Sequence, residues 1–292
     1  MKPDQPSGTA FRVAMRRAAH QVLDRPLVLD DPIALRIIGP QRAEAIRADP
    51  RRYDSGFGRA LRLFLVARSR CAEDALARAV AAGVRQYVVL GAGLDTFAYR
   101  SPHPPDALRV FEVDMPATQA FKRDLLARTR IEVPPSLTFV PVDFERQTLA
   151  AELRASGFRE DQPAFFSWLG VSMYLTRDAV MTTLGWVGRR PAGSGITFDY
   201  MLPPSRLSWL RRIGFHLVAS RVAAVGEPWK TWFDPDELAR ELRAMGFSGL
   251  EELDGPALDR RYFGGREKRV GGMSLGRVMT AMTGTDDGRA RS

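Results

Sequence analysis

The stretch Gln86–Arg100, QYVVLGAGLDTFAYR, decides how the whole chain is read. Tyr87-Val88-Val89-Leu90 is a short apolar run, β-branched at its centre and closed by glycine, the pattern of a strand buried on both faces. Gly91-Ala92-Gly93 follows at once, and the two missing side chains let the backbone come close to a ligand. About twenty residues further on, Leu108–Val113 is a second strand-like run, and it ends in Asp114. A glycine turn after one strand and an acid at the tip of the next is how an open α/β sheet holds a nucleoside. The glycines admit the ligand and the carboxylate accepts the ribose hydroxyls. The glycines alone would fit an ordinary turn; Asp114 at this distance favours the nucleoside.

The kind of nucleoside follows from what is absent. A dinucleotide fingerprint needs a third glycine where this chain has Thr96, and Asp95 puts a negative charge where a pyrophosphate would sit. An acid there suits a ligand with a cationic amine and no phosphate, such as S-adenosylmethionine.

With these residues in view, the chain resembles a known family. LGAGLDTFAYR at 90–100, FEVDMP at 111–116, VDFE at 142–145, FFSWLGVSMYLT at 165–176 and GEPWKTWFDPDEL at 226–238 stand in the order found in the leucine carboxyl methyltransferase family. They are most similar to its bacterial branch of S-adenosylmethionine-dependent O-methyltransferases, and the likeness runs from about Ala18 to Met279. It implies a Rossmann-like class I methyltransferase fold: a seven-stranded, mostly parallel α/β sheet with one reversed strand and a helical cap. The expected organisation is a cap segment over 1–56, a methyltransferase domain over 57–283 with a cap insertion near 201–232, and a frayed tail from 284.

Composition excludes several other classes. At 292 residues and 45% hydrophobic content the chain can bury a full core. One cysteine, Cys71, rules out a disulfide framework, and His20, His103 and His216 lack metal-ligand spacing, so no metal is expected. No apolar run reaches the roughly 20 residues that span a bilayer, and the N-terminus lacks a secretory signal's apolar centre, so the expected compartment is the cytoplasm. The net charge of +9 comes from arginines scattered among acids, which reads as compositional bias rather than a nucleic-acid surface. The expected partner is a small-molecule substrate, with neither nucleic acid nor membrane, and a positive field would favour an anionic one. Oligomeric state is not legible.

Other candidate residues come in chain order. Thr9 is read as the cap of a helix beginning near Phe11, on which Arg12, Arg16 and His20 share one face. That stripe is either a solvated surface or a lid that holds cations over an acidic substrate. A long helix from Phe57 to about Ala82 carries Phe57, Leu61, Phe64 and Leu65 on one face, and Arg68 continues the stripe. A guanidinium there snorkels or meets an acceptor; the resemblance implies that it meets the cofactor's carboxylate. Arg70, about 200° round the helix, is expected to be exposed or paired with Asp74. Strands are expected at Leu137–Val142, Pro163–Trp168, Ile196–Tyr200, Phe247–Leu253 and Val270–Ser274. Asp143-Phe144, at the tip of the third, reads by itself as an Asx turn; the pair can also supply an acceptor for the adenine amine and an apolar surface for its ring, the role the resemblance implies. After the fourth, the family carries a glutamate between tryptophan and glycine, where this chain has Leu169. Asp95 or a backbone carbonyl would have to compensate.

The expected cofactor site is therefore Arg68, Gly91, Ala92, Gly93, Asp95, Asp114, Met115, Asp143, Phe144 and Leu169, for S-adenosyl-L-methionine. Arg16, His20, Tyr200 and Trp229 are expected to shape the acceptor site. No side chain is assigned as obligately catalytic, because a carboxylate acceptor is already ionised at neutral pH. A phenol or alcohol would want a base, with His20, His216 and Glu227 as candidates. Three readings stand: O-methylation of a small metabolite's carboxylate or hydroxyl, methylation of a protein's terminal carboxylate, or cofactor binding that is structural or serves a non-methylating reaction. Leu169 is the residue that keeps the last one open.

Overall fold

The computed structural model describes residues 8–143, 146–206, 229–264 and 275–284. Its centre is a seven-stranded sheet in the order β3-β2-β1-β4-β5-β7-β6. The strands are β1 (Gln86–Leu90), β2 (Arg109–Asp114), β3 (Leu137–Pro141), β4 (Phe165–Trp168), β5 (Gly195–Met201), β6 (Phe247–Leu253) and β7 (Gly276–Thr283). β1 runs parallel to both β2 and β4, and only β7 is reversed, antiparallel to β5 and β6. The strand order turns back between β1 and β4, which opens a crevice at their carboxyl ends.

The helices among the described residues are α1 (Gly8–Leu23), α2 (Ala34–Ile37), α3 (Pro40–Ala48), α4 (Gly56–Ala81), α5 (Pro116–Arg128), α6 (Leu149–Ala155), α7 (Arg177–Gly188), α8 (Pro235–Ala244) and α9 (Gly255–Tyr262). Several begin where a side chain accepts an otherwise orphaned amide. Ser55 accepts from Gly58, Thr176 from Ala179, Asp254 from Ala257, and Asp234 from both Asp236 and Glu237.

Alternation along the strands divides the core. Val88, Leu90, Phe111, Val113, Phe166, Trp168 and Phe198 face α6, α7 and α8. Tyr87, Val89, Val110 and Phe165 pack against Leu76 and Ala79 of α4 on the other side. That second face also buries Glu112, Ser167, Thr197 and Asp199, so its strands carry a polar row beneath α4 and α5. A further apolar cluster joins α1, α2 and α3 to α5 and to Leu94 of the glycine turn, which seats the N-terminal helices on the carboxyl edge of β1.

Four expectations are corrected. The seventh strand runs over Gly276–Thr283, after the expected Val270–Ser274, which lies outside the described residues. Its place is set by pairing with β5 and β6, where Thr280 and Thr197 share a buried hydrogen bond of 2.9 Å, rather than by local apolarity. Phe57 is 49% exposed, because the first turn of α4 projects beyond the sheet it later covers. α1 begins at Gly8, so Thr9 lies inside it rather than at its cap. The short helices α2, α3, α6 and α9 are absent from the sequence expectations, since each is too brief to show a clear period.

Candidate functional site

Two left-handed glycines shape the turn after β1. Gly91 (φ +64°) leaves no room for a side chain, since a Cβ there would lie 2.4 Å from Val171 Cγ2, in the turn after β4. Gly93 (φ +51°) lies under α1, where a Cβ would come 3.0 Å from Ala10 Cβ. The turn is tied to β2 by the Ala92 N–H on the Val113 carbonyl, 3.0 Å, and closed by the Asp95 N–H on the Ala92 carbonyl, 2.7 Å.

Asp114 is the acid at this turn. Its Oδ2 accepts the Gly93 N–H at 2.5 Å and its Oδ1 accepts the Met115 N–H at 2.7 Å. Burial raises its pKa, while those two amides and Lys122 pull it down. Each oxygen uses one acceptor site and keeps another. The carboxylate is therefore held in orientation yet can still accept a pair of hydroxyls, as a vicinal diol requires.

Asp95 is engaged by its own loop and by α1. Its Oδ1 accepts the Phe97 N–H at 2.8 Å, and Arg17 of α1 reaches its Oδ2 at 3.5 Å. Arg17 also donates to Asp31 at 2.6 Å and to the Thr96 hydroxyl, which itself donates to Asp31 at 2.6 Å. Arg100 joins this group through Thr96 and Glu73. Below, the buried Lys122 ammonium donates to the Asp95 carbonyl at 2.7 Å and to Glu112 at 2.6 Å. Burial pushes Glu112 up to about 7 against the opposing pull of Lys122. The loop is thus clamped from α1 above and from α5 below.

The β4 side of the crevice is built on Arg68. Its Nη1 donates to Asp199 Oδ2 at 2.5 Å, and the other Asp199 oxygen accepts the Gly170 N–H, also at 2.5 Å. Gly170 (φ +74°) lies directly under the guanidinium, where a Cβ would be 2.7 Å from Nη2. Leu169 is half-buried at the end of β4, beside this pair. Asp143 follows β3; its N–H donates to the Gln147 side chain at 2.8 Å, and Phe144 lies outside the described residues.

The acceptor candidates fall in different places. Arg16 is half-buried, with Nη1 on the Arg12 carbonyl at 3.5 Å and no acidic partner among the described residues; burial, then Arg12 and Arg62, lower its pKa. His20 is fully enclosed rather than facing a cavity. Its Nδ1 lies 2.8 Å from Asp24 and its Nε2 accepts the Leu29 N–H at 3.4 Å, so both ring nitrogens serve the packing of α1. Arg62, buried in α4, completes that group with 2.8 and 3.0 Å bonds to Asp24. Tyr200 points to the sheet face opposite Asp199, with its ring against Phe233 at 6.1 Å and burial raising its pKa. Trp229 belongs to an apolar cluster with Met173, Met201, Tyr174, Trp232 and Leu275 at the carboxyl ends of β4 and β5. His216, Glu227 and most of the expected cap insertion lie outside the described residues. Arg70 pairs with Asp74 at 2.7 Å on the exposed side of α4.

Local pattern did not single out Asp199, Arg17 or Lys122. Asp199 did carry a signal, an acid at the tip of a strand buried along its whole length, facing opposite to Tyr200. Among the described residues, no three histidine, cysteine, aspartate or glutamate side chains form a metal-sized group.

Comparison with known proteins bears on the same elements. A family model described as leucine carboxyl methyltransferase matches residues 10–188. YktD of Bacillus subtilis, provisionally named an S-adenosyl-L-methionine-dependent methyltransferase, is 32% identical over 291 residues, covering 92% of this chain and 95% of its own. A Frankia alni protein with the same provisional designation is 32% identical over 268 residues, covering 80% and 93%. Among solved structures, a provisionally named methyltransferase from Thermobifida fusca superposes with a TM-score of 0.55 at 16% identity, covering 97% of this chain and 96% of that one. At that identity the likeness is one of fold.

Proposed function

This chain belongs to the leucine carboxyl methyltransferase family, and we propose that it is an O-methyltransferase that places the methyl group of S-adenosylmethionine on a carboxylate or hydroxyl oxygen of a small metabolite. The observation that carries the reading is Asp114, oriented by the Gly93 and Met115 amides at the switch point with acceptor sites to spare. The residues present fit the cofactor. Asp114 suits its ribose, the Nε and Nη2 edge of Arg68 suits its carboxylate, and Asp143 suits its adenine amine.

When bound, the cofactor supplies an electrophilic sulfonium methyl. The chain's own residues then have little proton chemistry to do, because a carboxylate acceptor is ionised at neutral pH. Their work is orientation and exclusion of water. Trp229, Met173 and Met201 supply an apolar wall at the carboxyl ends of β4 and β5. Arg16, a half-buried cation with no acid beside it among the described residues, favours the approach of an anionic acceptor. His20 is enclosed, which supports an acceptor that needs no base from that position. The cytoplasm, where the cofactor is made, is the compartment in which this activity belongs.

The test is incubation with methyl-labelled S-adenosylmethionine and an extract of the producing cell. Label in small base-labile esters or in base-stable methyl ethers is the expected result. Label confined to protein points to a terminal carboxylate, and tight cofactor binding with no label anywhere overturns methyl transfer.

A further inference from the structure

The guanidinium of Arg68 is deeply buried beneath the turn after β4, where position 169 is a leucine. A buried cation left without a counterion is costly. The counterion here comes from another strand. Asp199, third from the end of β5, takes Arg68 Nη1 on one oxygen and the Gly170 N–H on the other, 2.5 Å each. Its backbone carbonyl accepts the Ser172 hydroxyl at 2.6 Å, so the same residue grips the turn after β4 at two points.

What this leaves unused on Arg68 is informative. A guanidinium is a planar fork, and Nε and Nη2 share the edge that takes a carboxylate side-on through two parallel bonds. Arg68 Nε is buried and has no hydrogen-bond partner, and Nη2 makes none with any described residue. Asp199 occupies only the opposite arm. Gly170 leaves the space that Nη2 occupies, because any Cβ at 170 would displace it.

We infer that Asp199 is a positioning residue: it pins one arm of Arg68 so that the free bidentate edge is presented to the amino-acid carboxylate of the cofactor. The inference rests on the cofactor reading above. It extends that reading by assigning to β5 a part in binding that local sequence placed at β4. Asp199 itself is enclosed and acts through Arg68, without touching the ligand.

The test compares two ligands by calorimetry on the full chain. S-adenosylhomocysteine carries the carboxylate, and 5′-deoxy-5′-methylthioadenosine has the same nucleoside and thioether without it. Asp199→Asn is expected to weaken S-adenosylhomocysteine on the order of tenfold and to leave methylthioadenosine unchanged. Arg68→Gln should show the same selectivity, and the double variant should lose no more than Arg68→Gln alone. Should Asp199→Asn fail to fold, Asp199→Glu, which keeps the charge and displaces it by one methylene, is read with the same two ligands. Equal weakening of both ligands would reduce Asp199 to a structural residue and overturn the inference. So would unchanged or tighter S-adenosylhomocysteine binding, which would mean that Asp199 only neutralises Arg68. A parent protein that binds neither ligand would overturn the cofactor reading itself, which is a separate failure.

Discussion

Asp114→Asn is the substitution that bears most directly on the site. The side chain keeps its shape, but one acceptor oxygen becomes an NH₂ group. In the native turn both oxygens accept backbone amides, from Gly93 and Met115. One of those amides would then face a donor, which costs about 1–3 kcal/mol of stability and should appear as a lowered melting temperature. Binding suffers separately. Of two hydrogen bonds from ribose hydroxyls to a charged acceptor, worth about 1.5–3 kcal/mol each, one is lost and the other becomes an ordinary neutral bond. The expected loss is about 2–4 kcal/mol, or roughly 30- to 1,000-fold in the dissociation constant for S-adenosylhomocysteine. Isothermal calorimetry measures it, with circular dichroism to establish that the sheet survives. The parent protein should show the same trend on acidification. Burial raises the Asp114 pKa, so the neutral acid forms at a higher pH than in a free aspartate and affinity falls earlier. A folded Asp114→Asn protein whose affinity stays within about threefold of the parent would refute the assignment.

Three further outcomes are expected. Arg70→Ala, which removes an exposed pair with Asp74, should change stability by no more than about 0.5 kcal/mol and leave S-adenosylhomocysteine binding intact; a loss comparable to that of Arg68→Gln would mean that the wrong face of α4 lines the site. Gly91→Ala should cost about 2–5 kcal/mol in urea denaturation, since it combines a left-handed φ with overlap on Val171, and adding Val171→Ala should recover the steric part only. The third concerns the buried group that seats α1. Burial alone would raise Asp24, but its hydrogen bonds with His20 and Arg62 bring it down from 3.8 to about 2. Because the folded value is the lower one, its stabilisation is present above pH 3.8 and is lost as the pH falls through about 2. Asp24→Asn should therefore cost on the order of 2 kcal/mol at neutral pH, and the gap to the parent should close in that acid window; a gap that does not change with pH would contradict it.

Much of the framework was legible because its causes are local. A run of β-branched residues ended by glycine gives β1. Gly91, Gly93 and Asp114 could be grouped from the sequence because β1 and β2 are consecutive and adjacent, so spacing along the chain maps onto distance across the turn. The family likeness implied seven strands with one reversed, and the observed sheet has seven with β7 reversed.

What the sequence by itself determined, then, is six of the seven strands and the acid at the glycine turn, since period and short separations act within a few residues of each other. The tertiary structure decided which charge meets which. Arg68 and Asp199 stand 131 positions apart and become partners only when β5 lies beneath α4. His20 looks like one more cation on an exposed helix stripe until Asp24 and the Leu29 amide close around it. Tyr200 and Asp199 are neighbours in the chain, yet the pleat sends them to opposite faces of the sheet, one into the aromatic core and the other to Arg68 beneath α4. In each case the partner is chosen by strand order and helix seating, which are collective properties of the packed core, and no local stretch of sequence carries them.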